Sequence, residues 1–268
     1  MCELETLVHY VVVEEGKGMA SDNYRWLAKY YDHLHEFRRP FTSARKAILG
    51  PILPGVASAC DLACGTGEMA LLLAKKGIHT FAVDLSPEMC RITRKKAREQ
   101  KLPVHVIEAD MRNFALPQRV DLITCEFDAL NHLARRQDLS RALRSVAKGL
   151  QPGGHFVFDV NNQLAFERVW ANTWFLEKDP VALVMHGGHN PGSKRAWIDL
   201  EWFIRTGKAW KRYQEHIEEV CWSASEMRQA LKKAGFDQIR CWDAAPFFKE
   251  ELTRPGNRTF WLARRKAD

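Results

Sequence analysis

The sequence predicts an α/β fold: a seven-stranded, mostly parallel sheet with helices on both faces and an inserted antiparallel β lid. Three observations carry that expectation. Short apolar runs alternate with amphipathic helices between residues 56 and 160. The alternation breaks over residues 170–222, where six tryptophans fall in segments of period two. A capped helix and two further apolar runs then follow to the C-terminus. The expected division is 1–21 as an N-terminal extension, 22–169 with 223–268 as the sheet domain, and 170–222 as the lid.

Residues 1–18 show no helical or strand period. From Asp22, the positions Tyr24, Trp26, Leu27, Tyr30, Tyr31 and Leu34 recur at helical spacing, and a second helix spans 41–49 before Gly50-Pro51. Strands are expected at 56–63, 79–83, 104–109, 120–125 and 155–160. The intervening helices carry boundary signals: 68–76 stops at Gly77, Ser86-Pro87 supplies a cap and a first-turn proline, and 138–148 closes at Gly149. In the lid, Thr206-Gly207 reads as a tight hairpin turn pairing Phe203 with Trp210, Glu201 with Arg212, Asp199 with Gln214 and Trp197 with His216. Ile198, Leu200 and Trp202 then share an apolar face, either to pack on the core or to cover a greasy substrate. Ser223 and Glu226 form a capping box, Gly235 ends that helix, and 238–242 with 259–263 close the sheet.

At 268 residues and 46% hydrophobic content the chain can bury a substantial core. No run approaches the roughly 18 apolar residues of a membrane helix, and residues 10–13 are too short and too acidic-flanked for a signal peptide. A cytoplasmic protein without a membrane partner is expected. Seven cysteines, an odd number without a CxxC pair, argue against a disulfide framework or a structural zinc site and read as small buried hydrophobes. His186 and His189 flank two glycines without a third ligand, so no metal is expected. The net charge of +7 is dispersed over helix faces, which weakens a nucleic-acid reading.

Chemistry concentrates at strand ends. Asp61-Leu-Ala63-Cys-Gly65-Thr-Gly67 leaves a strand and enters a helix, so its glycines permit a tight turn and let backbone amides approach a ligand. Asp84 ends the next strand, in the range of about 20 residues expected for a carboxylate that takes both ribose hydroxyls of an adenosine. Asp110 ends the third, where a carboxylate can accept from an adenine amino group and Met111 can contact the ring. Each alone has a plain alternative as a turn or helix cap.

Together, Asp61 to Gly67, Phe81-Ala-Val-Asp84-Leu85-Ser86-Pro-Glu-Met89, Glu108-Ala-Asp110-Met111, Asp121-Leu-Ile-Thr-Cys-Glu126-Phe127 and Leu150-Gln-Pro-Gly153-Gly154 resemble the motifs of class I S-adenosylmethionine-dependent methyltransferases of small-molecule type, which share a Rossmann-like sheet. Residues 213–236 are more weakly similar to amino-sugar N-methylating members. The resemblance implies S-adenosylmethionine as cofactor, with Asp61, Ala63 and Gly65 at its methionine part. Asp84 and Met89 would lie at the ribose and adenine edge, Asp110 and Met111 at the adenine, and Glu126 near the reacting methyl. Gly67, Leu85 and Phe127 belong to the same motifs, and Tyr24 and Tyr31 match a pattern that closes over the cofactor. An acidic Asp61 suits the ammonium of the methionine tail.

After the fourth strand, Glu126-Phe-Asp128-Ala-Leu-Asn131-His132 puts three polar side chains where a methyl would emerge. The run is not Asp/Asn-Pro-Pro-Tyr and no Pro-Cys follows, which argues against methylation of nucleic-acid bases. His132 is a candidate general base or a helix-capping residue, Asp128 and Asn131 orient an acceptor or close their own turn, and His216 is a second base candidate or a satisfied strand histidine. The expected reaction is in-line methyl transfer to N or O of a small-molecule acceptor. The alternatives are RNA or protein methylation, motivated by Arg264-Arg265-Lys266, and a cofactor-binding regulator without transfer. The assembly is left open, a homodimer included.

Overall fold

The computed structural model describes residues 11–13, 24–34, 39–244 and 257–267. It begins with β1 (Val11–Val13), α1 (Arg25–Tyr30) and α2 (Arg39–Leu49). The alternating unit follows as β2 (Ser58–Leu62), α3 (Glu68–Lys75), β3 (His79–Asp84), α4 (Pro87–Glu99), β4 (Val104–Glu108), β5 (Val120–Cys125), α5 (Arg136–Gly149) and β6 (Leu150–Asn161). A short α6 (Gln163–Ala165) continues into a π-helical turn, Phe166–Trp170. Next come β7 (Thr173–Lys178), β8 (Val181–Asn190), β9 (Arg195–Thr206) and β10 (Ala209–Val220), then α7 (Ala224–Lys233), β11 (Phe236–Asp243) and β12 (Arg258–Arg265). No helix among the described residues is long and apolar enough to cross a membrane.

The main sheet has the order β11-β12-β6-β5-β2-β3-β4, parallel except where β12 runs against both of its neighbours. Alternate residues feed two cores. Cys60 and Leu62 of β2 pack with Leu139, Leu143, Met227 and Leu231 of α5 and α7, whereas Ala59 packs with Phe41, Ile48, Met69 and Leu73 of α2 and α3. Coverage on both faces explains why these strands read as near-continuous apolar runs. Strand order steps outward from β2 to β4 and then returns to β5. The carboxyl ends of β2 and β5 therefore border the crevice where such sheets bind ligands.

Ser223 and Glu226 make the expected reciprocal capping box at α7. Cys60, Cys64, Cys90, Cys125 and Cys221 are buried free thiols, and Cys241 is half-buried. Val11–Val13 adds a parallel strand beside Trp210 to Arg212, although residues 1–18 carry no legible period. The rest of the expected extension, with Cys2 and Asp22, lies outside the described residues.

The second sheet has the order β1-β10-β9-β8-β7. Leu200, Trp202 and Ile204 of β9, with Val181 and Leu183 of β8, pack on Trp26, Leu27 and Tyr30 of α1. The expected apolar face thus closes a core of its own, sealed by α1. The hairpin register differs from expectation by one turn position: Thr206 pairs with Ala209, Phe203 with Arg212, Glu201 with Gln214 and Asp199 with His216. Gly207, not Thr206, opens the two-residue loop, because that position has φ +64, which a β-branched side chain avoids. Each partner moves by two residues, so every side chain keeps its expected face.

A Cβ at Gly207 would meet nothing within 4 Å, so Gly207→Thr isolates the backbone cost. It should destabilise the protein by about 1–2 kcal/mol, read as a lower thermal midpoint, while Gly207→Asn stays close to wild type. Equal midpoints for the two variants would reject this turn.

Candidate active site

Asp61 is 3% exposed and points from β2 toward α3. Its Oδ2 accepts from the backbone N–H of Ala70 at 3.1 Å and its Oδ1 from the hydroxyl of Thr124 at 2.9 Å. Burial pushes this carboxyl up to about 8, with Glu126 adding to the rise and Thr124 opposing it. Asp61 therefore anchors the loop to β5 and α3. The chain then turns through Ala63 at φ 54, Gly65 at φ 52 and Gly67 at φ 83. An added Cβ at Gly67 would sit 2.6 Å from Cγ2 of Thr93, so α4 packs directly on the loop, whereas a Cβ at Gly65 would meet no described residue within 4 Å.

Gly65 N–H donates to Oδ2 of Asp84 at 2.8 Å and Ser86 N–H to Oδ1 at 2.8 Å. Burial raises the Asp84 carboxyl against these hydrogen bonds. Beside it, Leu85 is 65% exposed while Met89 is buried. Asp110 is held by Arg112, whose Nε donates to both carboxylate oxygens at 3.0 and 2.8 Å and whose guanidinium lowers the carboxyl. Met111 is half-buried beside it.

At the end of β5, Glu126 is grasped by Arg45 of α2: Nε lies 3.0 Å from both oxygens and Nη2 lies 2.5 Å from Oε2. The same guanidinium reaches Glu68 at 2.6 Å. Phe127 stacks on Phe41 with centroids 4.1 Å apart. Phe127 and Asp128 both have left-handed backbone, and their N–H groups donate to Asp159, at 2.7 and 3.0 Å. Arg258 pairs with Asp159 and, at 2.6 Å, with Asp128.

His132 follows in a 3-10 turn. Its ring nitrogens lie 3.2 Å from the Tyr24 hydroxyl, Nδ1 lies 3.3 Å from the carbonyl of Glu218, and Nε2 lies 3.6 Å from Oε1 of Glu219. Burial holds its pKa below the ordinary value. Asp128, His132 and Tyr24 thus come together.

Two expected catalytic residues do not join them. Asn131 is 0% exposed, donates to the carbonyls of Asn161 and Val220 at 3.0 Å each, and accepts from Asn161 N–H at 3.0 Å. It is a structural tie between β6 and β10. His216 projects from the opposite face of β10 to Glu215 and Glu219, as strand alternation requires, and pairs with exposed Asp199 at 2.7 Å. His186 lies 3.5 Å from the Thr173 hydroxyl, and His189 packs near Phe166.

α1 straps the crevice. Tyr24 offers no side-chain cap and the first turn holds no acid, so Glu215 of β10 accepts the N–H groups of Trp26 and Leu27 at 2.7 and 3.1 Å. Beyond the half-buried Tyr31, Asp32 accepts from the Thr66 hydroxyl at 2.8 Å and pairs with Lys96. Arg45, Asp159, Glu215, Glu219 and Arg258 had no role assigned from the sequence. Signals existed for three: Asp159 lies near the end of an apolar strand, and Glu215 and Glu219 share the inward parity of Ile217.

A glycine loop and an acidic strand end at the reversal point of this seven-stranded sheet define the class I methyltransferase architecture. Residues 59–154 match the methyltransferase domain family. Over 244 residues the chain is 28% identical to YqeM, a putative methyltransferase of Bacillus subtilis strain 168, spanning 90% of this chain and 97% of that one. It is 30% identical over 146 residues to the dTDP-3-amino-3,6-dideoxy-alpha-D-glucopyranose N,N-dimethyltransferase of Streptomyces fradiae, covering 53% of this chain and 56% of that one. The crystal structure of an S-adenosylmethionine-dependent methyltransferase from Clostridium acetobutylicum ATCC 824 matches with a TM-score of 0.77 at 25% identity, covering 91% and 99% of the two chains. The protein is an S-adenosylmethionine-dependent methyltransferase.

Asp61 makes a testable link to stability. Its native value of about 8 lies above that of an unfolded aspartate, so the native state binds the extra proton between the two. This contribution to stability is complete below about pH 4 and is lost as pH rises toward about 8. Urea unfolding of the cofactor-free protein should show that decline, and Asp61→Asn should flatten it. Identical pH slopes would reject the assignment.

Proposed function

We propose that the crevice at the ends of β2, β3 and β5 binds S-adenosylmethionine and presents its methyl to N or O of a small-molecule acceptor held under α1 and the lid. The observation that carries this reading is the Gly65–Asp84 hydrogen bond between the ends of β2 and β3, next to the reversal point. It fixes a carboxylate beside Gly65, over which no described residue lies within 4 Å of an added Cβ. The residues fit the cofactor. Asp84 has more acceptor capacity than its backbone donors, Gly65, Leu85 and Ser86, use, which suits ribose hydroxyls, and exposed Leu85 offers an apolar edge for a purine. When bound, S-adenosylmethionine supplies a methyl on a sulfonium that leaves as a neutral thioether.

The chain's own residues then position and exclude. Asp61, with both oxygens engaged inside the fold, shapes the loop instead of meeting an ammonium directly. Met111 lines the adenine side, while Asp110 meets the ring only as far as Arg112 shares it. Glu126, charge-balanced by Arg45, walls the crevice next to Phe127. Tyr24 and Tyr31 close it from α1, and Tyr24 with His132 and Asp128 borders the acceptor side. The name of the Streptomyces fradiae relative describes methylation of an amino sugar nucleotide, which supports a small acceptor. Two of the three basic C-terminal side chains that motivated an RNA reading are turned back on the sheet, Arg264 to the carbonyl of Gly153 and Arg265 to that of Leu150.

Asp84→Ala should weaken S-adenosylmethionine binding at least tenfold by calorimetry, the loss of hydrogen bonds to a charged group, with an unchanged circular dichroism spectrum. Undiminished affinity would reject the ribose assignment. A metabolite screen for S-adenosylhomocysteine formation tests the acceptor class, and turnover confined to RNA or protein would overturn it.

A further inference from the structure

Behind His132 lies a group of side chains that cofactor binding does not use. Asp128, His132 and Glu219 each present an atom within 4.8 Å of the other two. His132 retains 31% side-chain exposure, and Glu219, at 1%, sits beneath it. Oε2 of Glu219 accepts from Nδ2 of Asn161 at 2.9 Å, but Oε1 is buried with no hydrogen-bond donor among the described residues. An unpartnered carboxylate oxygen in a buried site is costly, and a cation or a proton relieves that cost.

The charged groups around it come from five elements. Asp128 and His132 come from the loop after β5, Asp159 from β6, Glu219 from β10, Arg258 from β12, and the Tyr24 hydroxyl from the start of α1. Arg258 serves both Asp128 and Asp159, so one guanidinium balances two carboxylates before Glu219 is counted. Among the described residues the pocket is short of positive charge.

We propose that Glu219 is a proton-holding positioning residue whose free oxygen, with Asp128, maintains a cation slot behind His132 and so selects nitrogen over oxygen as the methyl acceptor. The inference rests on the small-molecule reading above. At rest, burial and the adjacent Asp128 raise the Glu219 carboxyl, so the proton shared by the pair resides on Glu219. An acceptor ammonium entering the slot substitutes its charge for that proton, which leaves to solvent. One N–H bond of the ammonium then breaks with its electron pair kept on nitrogen, and the proton bonds to a ring nitrogen of neutral His132. The imidazolium so formed is held against the Glu219 carboxylate. A hydroxyl acceptor would instead build negative charge beside Asp128 and Glu219, where like charges oppose it.

Matched libraries of small amines and of the corresponding alcohols, incubated with S-adenosylmethionine and wild-type or Glu219→Gln protein, test this. Turnover is expected from amines alone. Glu219→Gln should keep cofactor affinity but lose at least tenfold in kcat/KM. Wild-type efficiency should fall with decreasing pH as Glu219 takes up its proton, and the variant should lack that fall until the lower His132 value is reached. His132→Gln should lose turnover with cofactor affinity intact, which keeps the inference testable if Glu219→Gln misfolds. Alcohol turnover, or an unchanged pH profile in Glu219→Gln, would overturn the inference while leaving the small-molecule reading in place. Turnover on neither library, with cofactor bound, would overturn both. Activation by Mn²⁺ or Zn²⁺ that is lost in Glu219→Gln would make the slot a metal site and reject the ammonium.

Discussion

Asp159 takes the backbone N–H groups of Phe127 and Asp128 while buried at the end of β6, and much of the site hangs on that pair of hydrogen bonds. Two consecutive non-glycine residues in left-handed backbone each cost about 1–2 kcal/mol. Hydrogen bonds to a buried carboxylate are of a size to offset that. The reversal they hold directs Glu126 toward Arg45 on one side and Asp128 toward Arg258 on the other. Because Arg258 lies on β12, the C-terminal antiparallel strand pair is part of the site's electrostatics, not merely the edge of the sheet.

The same logic of paired charges runs along the whole sheet edge. Arg45 joins α2 to both the glycine-loop helix and β5 through Glu68 and Glu126, and Lys96 with Thr66 secures Asp32. Buried ions survive only when such partners are supplied. Asp61 and Glu219 are two departures: among the described residues neither touches a guanidinium, and burial raises both carboxyls. One is answered by local donors that fix a loop, and the other is left with an open oxygen.

Much of this fold was legible in the sequence, because a two-sided parallel sheet writes itself as apolar runs separated by capped amphipathic helices. The glycine loop, Asp84 and Asp110 were legible as strand ends, since their positions follow from local periodicity. What escaped notice depends on contacts between distant elements. Asn131 reads like any loop asparagine until β6 and β10 bring two carbonyls to its amide. Arg45 reads as one basic residue on a helix until Glu126 is placed across from it. The hairpin register failed by one position because Thr206-Gly207 and Gly207-Lys208 are equally plausible loops until the sign of φ is known. His216 looked chemically apt, but the parity of β10 turns it to solvent.

The amide of Asn131 joins the last residue of β10 to the last residue of β6, so the lid sheet is riveted to the main sheet beside the acceptor region. The lid cannot swing from that corner without breaking saturated, buried hydrogen bonds. The α1 side is held differently, by hydrogen bonds to Glu215, Thr66 and His132 and by aromatic packing on the second sheet, so its ties are spread over several separate elements.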